Sequence, residues 1–355
     1  MKRFKVGYLE RPMHPAFDET ARAASNLSVE RIAVNQPHEQ IMALLRQCHG
    51  YYVSASQDEI AAPFYAKAPL IEQLPQLLFV CSFGAGYDTI DVDACTRAGI
   101  PVVNQAGGNA EGVAEHAVGL MLVLLKRITE AHAALKAGMK GRKEAFMGRE
   151  LIDRTVGLIG LGHVGTRTAQ ILNAAFRCRV LAYDPYLDAA ACKARGAQKV
   201  ELAQLLAESD VVSVHCPLSK ETRGMLGAEA FAAMRKGTVF VTTARGGIHD
   251  ENALHQALLS GHIAAGGLDV WAKEPPQPDH PLLSHPAVLG SPHTAGVTFE
   301  SRGRVARMAA EAFIEAAAGR TPPRVLNPQV LPRFKERWAA AFGELGSDQQ
   351  LRAAR

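Results

Sequence analysis

The stretch Thr155-Val156-Gly157-Leu158-Ile159-Gly160-Leu161-Gly162-His163-Val164-Gly165 decides how this chain is read. An apolar strand pattern occupies 155–159, the spacing Gly-x-Gly-x-x-Gly follows at once, and a helical pattern opens at His163. Alone, the glycine spacing is a weak signal. Between a strand and a helix it is the fingerprint of a dinucleotide-binding turn. Gly160 permits the tight turn, Gly162 lets a pyrophosphate approach the backbone, and Gly165 lets helix and strand pack closely. His163 and Val164 begin the helix, whose N-terminus offers amides and a partial positive charge to an anion. Asp184 ends the next strand pattern, nineteen residues after Gly165. A carboxylate there accepts hydrogen bonds from the adenosine ribose and repels a 2′-phosphate, so the expected cofactor is NAD. The residues after it, Pro185, Tyr186 and Leu187, include no compensating arginine.

Outward from this turn the pattern repeats. Strand signals recur at 179–184, 210–215, 238–243, 264–270 and 287–290, with helical signals at 163–174, 202–208 and 251–259. Six parallel strands with crossovers make a complete dinucleotide-binding domain. Upstream, strands at 4–9, 51–53, 77–81 and 101–104 alternate with helices at 41–48 and 91–98, which implies a second parallel sheet. A long apolar helix over 111–127 reads as a connector between two domains, and another helix follows at 299–318. At 355 residues the chain is too long for one core. Near the end, Phe334, Trp338 and Phe342 lie at i, i+4 and i+8, an apolar helical stripe that suits core packing or a subunit contact. The last ten residues are expected to fray.

Composition narrows the function class. Hydrophobic residues make up 48% and charged residues 21%, ordinary for a globular protein, and a net charge of +4 gives no argument for nucleic acid. The basic residues Lys126, Lys136, Lys140, Arg142, Lys143 and Arg149 are interleaved with Glu130 and Glu144. They suit a solvated helical face or an arm at a subunit contact. Cys48, Cys81, Cys95, Cys178, Cys192 and Cys216 contain no Cys-x-x-Cys pair, which points to reduced thiols in a cytoplasmic protein and to no zinc site. His280, His285 and His293 lack ligand spacing, so no metal is expected. No secretory leader is read in the first ten residues, and the longest apolar run is too short to span a bilayer.

Three polar residues follow successive late strands. Arg245 stands in Thr242-Thr243-Ala244-Arg245-Gly246-Gly247, Glu274 in Asp269-Val270-Trp271-Ala272-Lys273-Glu274-Pro275, and His293 in Ser291-Pro292-His293. Each falls at the carboxyl end of a parallel strand, the edge where open α/β sheets bind ligands. A guanidinium, an acid and an imidazole are what alcohol oxidation beside a carboxylate requires. Arginine clamps the substrate carboxylate and carbonyl, histidine exchanges the hydroxyl proton, and glutamate orients the imidazole and raises its pKa. Singly, each reads as well as a turn arginine, a surface acid or a capping histidine. Together, at one edge beside a cofactor motif, they read as a catalytic set. His116 is expected to be a hydrogen-bonded core histidine, and His215-Cys216-Pro217 to shape the cofactor pocket.

The sequence resembles the D-isomer-specific 2-hydroxyacid dehydrogenase family up to about Pro328. The likeness is carried by Phe83-Gly84-Ala85-Gly86-Tyr87-Asp88-Thr89-Ile90-Asp91, Ala114-Glu115-His116, the glycine fingerprint and the three segments just quoted. It implies catalytic roles for Arg245, Glu274 and His293. It further implies substrate-carboxylate binding by backbone amides near Ala85 and Gly86, assisted by Arg245, and cofactor contacts at Pro217, Ala244 and Asp269. The fold implied is α/β, with two Rossmann-like or flavodoxin-like doubly wound domains. The discontinuous substrate domain takes 1–103 plus 296–330, the NAD-binding domain 104–295, and a helix and tail 331–355. A cleft between domains that closes on substrate and a homodimer are implied as well.

Two departures bear on the substrate and the arm. Serine-pathway phosphoglycerate dehydrogenases carry an arginine after the strand matching 51–53, where this chain has Ser54-Ala55-Ser56-Gln57. An unphosphorylated 2-keto acid such as glyoxylate or hydroxypyruvate is therefore expected, with no membrane or nucleic-acid partner. The region 140–148 lacks a tryptophan found in many relatives. The competing reading is an NAD-sensing binding protein or corepressor-like regulator on the same fold, which would have no need for the full Arg–Glu–His set. Formate dehydrogenases place glutamine where Glu274 stands.

Overall fold

The computed structural model describes residues 2–9, 14–139 and 141–343. Met1, Glu10, Lys140 and the end of the tail, on which some expectations above fall, lie outside the described residues. The chain divides into two compact units, Met1–Asn109 with Thr298–Arg355, and Ala110–Val297.

The first unit is built on five parallel strands: β1 (Phe4–Leu9), β2 (Leu27–Ile32), β3 (Gly50–Val53), β4 (Phe79–Ser82) and β5 (Val102–Val103), in the order β2-β1-β3-β4-β5. Side chains alternate between its faces, as strand geometry demands. Tyr52, Phe79 and Cys81 enter one core with Phe17 and Phe313, and Tyr51, Val53 and Val80 enter the other with Ile41 and Leu70. The sequence reading missed β2. Its segment Leu27-Ser28-Val29-Glu30-Arg31-Ile32 forms the sheet edge, where only its end residues are buried, so no continuous apolar run marks it.

The C-terminal segment completes this unit. Helix Phe299–Ala317 buries an alanine-rich face around Phe313. Asn327, 1% exposed, accepts from the Val102 amide and donates to Ile100 O and Thr96 Oγ1, satisfying the edge at β5. Helix Leu331–Phe342 sends Phe334 and Trp338 into the first core, and Arg337 donates to the carbonyls of Ala98 and Leu77. The apolar stripe thus packs in the core of this unit.

The second unit carries seven parallel strands: β6 (Thr155–Ile159), β7 (Arg179–Tyr183), β8 (Gln198–Lys199), β9 (Val211–Val214), β10 (Thr238–Thr242), β11 (Ile263–Leu268) and β12 (Val288–Gly290). Their order is β12-β11-β10-β9-β6-β7-β8. The count exceeds the expected six because β8 is a two-residue polar edge strand without an apolar signature. Helices cover both faces. Val156, Leu158 and Val241 pack with the long helix Ala110–Leu125, while Ile159, Val212 and Phe240 pack with the helices bearing Phe231 and Leu254. Both units are therefore doubly wound α/β sheets. Strand order reverses between β6 and β9, which marks a crevice at the carboxyl ends of the second unit's strands.

Candidate active site

The glycine turn occupies that reversal point. Gly160 adopts φ +94°, and a Cβ there would stand 2.7 Å from the Cys216 amide nitrogen. A Cβ on Gly165 would meet Gly160 O at 2.2 Å, so helix His163–Phe176 packs against the strand only because no side chain intervenes. A Cβ on Gly162 would meet nothing within 4 Å, and Gly162 and His163 are exposed. This open cradle ends at a helix N-terminus that no side chain caps, leaving first-turn amides for an anion. Asp184 stands beside it: Oδ2 accepts from the Leu161 amide at 2.9 Å and Oδ1 from the Tyr186 amide at 3.0 Å. Each oxygen retains a lone pair for a ribose hydroxyl. The cradle therefore fits a dinucleotide. The fold also brings in Arg195, which donates to Leu161 O at 2.7 Å and gave no sequence signal because it comes from a later helix end.

Pro217 is exposed just past β9, Ala244 is buried after β10, and Val164 is half-buried in the first helical turn. His215 bonds Ser213 Oγ at 3.0 Å through Nε2. Burial lowers its pKa to about 4, so it is neutral near pH 7.

An imidazole–carboxylate pair is assembled within the second unit. His293 Nδ1 lies 2.8 Å from Glu274 Oε2, and Glu274 Oε1 accepts from the Trp271 amide at 3.0 Å. Glu274 is thereby fixed at both oxygens and fixes the imidazole in turn. His293 has φ +54°, a strained value for a non-glycine residue. Its amide donates to Asp269 O at 2.7 Å, which helps hold that conformation. Burial disfavours the imidazolium. The hydrogen bond and charge of Glu274, helped by Asp269 and opposed by Arg245, outweigh burial and raise the His293 pKa. On the glutamate, burial acts upward, but the His293 bond and charge, the Trp271 amide and Arg245 hold its pKa below the usual carboxylate range. Arg245 is half-buried, with one guanidinium nitrogen on Ala244 O at 2.7 Å.

Asp269 is fully buried. Its Oδ1 accepts from Ser291 Oγ at 2.6 Å and the Thr294 amide at 2.8 Å, and its Oδ2 accepts from the Ala295 amide at 2.9 Å. The side chain thus braces the loop that carries His293. Ser291 also meets His116 Nε2 at 3.1 Å. His116 is hydrogen-bonded as expected but is 28% exposed and so is not a core residue. Sequence reasoning gave Ser291 no role, although it sits in the quoted Ser-Pro-His triplet.

In the first unit, the turn after β4 leaves two backbone amides open. The carbonyls of Gly84 and Ala85 accept from the Gln105 amide and Asn104 Nδ2, and that of Gly86 accepts from Ser82 Oγ. Among the described residues the amides of Ala85 and Gly86 have no protein acceptor. With the carbonyls tied back, these amides remain for a carboxylate.

The family model for the NAD-binding domain of D-isomer-specific 2-hydroxyacid dehydrogenases matches residues 118–295. The chain belongs to this family. It is 36% identical to a glyoxylate reductase of Aeropyrum pernix over 301 residues, covering 83% of this chain and 88% of that one. It is 42% identical to a D-3-phosphoglycerate dehydrogenase of Archaeoglobus fulgidus over 266 residues, covering 75% of this chain and 50% of the other. The chain thus spans about half the length of the phosphoglycerate dehydrogenases it matches. The structure of a D-lactate dehydrogenase from Aquifex aeolicus complexed with NAD and lactic acid superposes with a TM-score of 0.76 at 27% identity, covering 91% of this chain and 99% of that one. NAD is accordingly the cofactor of the second unit. Among the described residues, no helix is long and apolar enough to cross a membrane and no cluster of His, Cys, Asp and Glu could hold a metal ion.

Proposed function

We propose that this protein interconverts an unphosphorylated 2-keto acid and its D-2-hydroxy acid, with the first unit as substrate domain and the second as cofactor domain. The observation that carries the reading is the His293–Glu274 contact at 2.8 Å, in a chain of this family and in the unit whose glycine cradle fits a dinucleotide. A bound NAD supplies the hydride acceptor for oxidation and, when reduced, the hydride donor for reduction. In oxidation, His293 takes the hydroxyl proton through Nε2, the nitrogen Glu274 leaves unoccupied. In reduction it returns that proton to the carbonyl oxygen. Glu274 stabilises the imidazolium that forms. Arg245 offers its guanidinium to the substrate carboxylate and carbonyl oxygen. In the first unit, the Ala85 and Gly86 amides are open to a carboxylate. Asp184 directs the choice toward NAD. The carboxylate–imidazole pair favours an enzyme over a sensor on the same fold, since a sensor gains nothing from a tuned proton carrier.

The exposed apolar residues Ile128, Leu135 and Met147, along the basic arm, support a homodimer. The test of the activity is NADH absorbance with a panel of 2-keto acids, read for the unmodified chain and for His293→Ala. Turnover of none of them, with NADH binding intact, would overturn the enzyme reading in favour of the sensor.

A further inference from the structure

Trp271 touches all three segments that carry Arg245, Glu274 and His293. It lies shortly after β11 and is 3% exposed. Its amide donates to Glu274 Oε1 at 3.0 Å, and its indole Nε1 donates to Ser291 O, two residues before His293, at 3.0 Å. The carboxylate is thus tied to the backbone of this residue and the imidazole loop to its side chain. Gly246, next to Arg245, approaches so closely that a Cβ on it would stand 1.8 Å from Trp271 O. The indole itself packs on Gly290 at the end of β12, where a Cβ would meet Cζ2 at 2.7 Å.

The tryptophan is held in turn from outside. Glu251, the first residue of helix Glu251–Leu259, accepts from the Ala272 amide at 2.7 Å through Oε1 and from His280 Nε2 at 3.2 Å through Oε2. His280 Nδ1 accepts from the Leu282 amide at 3.3 Å, so the ring proton sits on Nε2. The His280 ring meets the indole edge-on, with centroids 5.5 Å apart. Asp269 and Trp271 act differently on the His293 loop. Asp269 binds the Thr294 and Ala295 amides and shapes the loop itself, whereas Trp271 links the loop to Glu274. A phenyl ring would also fill this place in the core beside Leu268 and Leu282, but it has no donor for Ser291 O.

We infer that Trp271 is a positioning residue, whose amide, carbonyl and indole together set the mutual spacing of the Arg245, Glu274 and His293 segments. It touches no reacting atom and acts through the groups it holds. The inference rests on the activity proposed above.

The experiment measures kcat, KM and the pH profile of keto-acid reduction with the full chain, for Trp271→Phe and for Phe231→Leu. Trp271→Phe keeps an aromatic ring and the amide bond to Glu274 but deletes the donor to Ser291 O. With the His293 loop released from Glu274, kcat near neutral pH should fall about 5- to 10-fold, the scale of one net hydrogen bond, while KM for NADH holds. The contact that raises the His293 pKa is weakened, so the falling limb of reduction should move to lower pH. Phe231 is buried in the same core and makes none of these hydrogen bonds, so Phe231→Leu should lower the melting temperature and leave the limb in place. If Trp271→Phe does not fold, Gly290→Ala, whose methyl pushes the same indole aside, should give the same loss and the same shift. A limb that stays in place in the Trp271 or Gly290 variant, or one that moves equally in Phe231→Leu, would overturn the positioning role while leaving the activity standing. Absence of turnover by the unmodified chain across the panel of 2-keto acids would overturn both.

Discussion

Replacing Glu274 by glutamine keeps the side chain's size and its reach to the Trp271 amide and to His293 but removes the charge. The pair is 27% and 20% exposed, so solvent screens it only in part. A hydrogen bond to a charged partner contributes roughly 1.5–3 kcal/mol against roughly 0.5–1.5 for a neutral one, so removing the charge costs about 1–1.5 kcal/mol. At about 1.36 kcal/mol per factor of ten, that should slow keto-acid reduction near neutral pH by about 5- to 13-fold. The sign follows from the direction of the shift. Glu274 raises the His293 pKa, and reduction needs imidazolium, so reduction is fully active below that pKa and falls as pH rises through it. Oxidation needs neutral imidazole and rises through the same pKa. In Glu274→Gln the pKa drops, both limbs move to lower pH, and oxidation extends into more acidic solution. The assay is the pH profile of kcat in both directions, with a deuterium isotope effect from labelled NADH showing that hydride transfer limits the rate. Profiles that coincide with those of the unmodified protein would refute the relay.

His293→Ala should lower turnover in both directions by about 10²–10⁴-fold while NADH still binds in fluorescence titration; turnover within tenfold of the original would assign the proton to another group. In Gly165→Ala the new methyl meets Gly160 O, so NADH affinity should fall and stability drop by about 1–3 kcal/mol, read by titration and denaturant unfolding. Asp184→Ala should weaken NAD and admit NADP, and calorimetric affinities for the two that keep their original ratio would dismiss the selectivity role. Trp338→Ala should cost about 3–5 kcal/mol, because Trp338 is 8% exposed in the first core; a melting temperature within a degree of the original would place that helix outside the cooperative unit.

The sequence by itself determined what depends on local chemistry. Gly160, Gly162 and Gly165 could be assigned different tasks from spacing alone, because a tight turn, an open approach and a close helix contact each forbid a side chain for a different reason. Arg245, Glu274 and His293 could be grouped because parallel strands deliver their carboxyl ends to one edge. Strands buried on both faces announced themselves as apolar runs, whereas β2 and β8, at sheet edges and partly polar, did not. The tertiary structure alone decided contacts made between distant segments. It brought Asp269 under the His293 loop, Arg195 to the glycine turn, and Asn327 to the Val102 amide. It also opened a cavity among Leu9, Tyr52 and Phe83, residues that in sequence are ordinary core positions. Periodicity records whether a residue is buried. Which residue it is buried against, and where packing leaves space, is fixed only when strands far apart in the chain lie side by side.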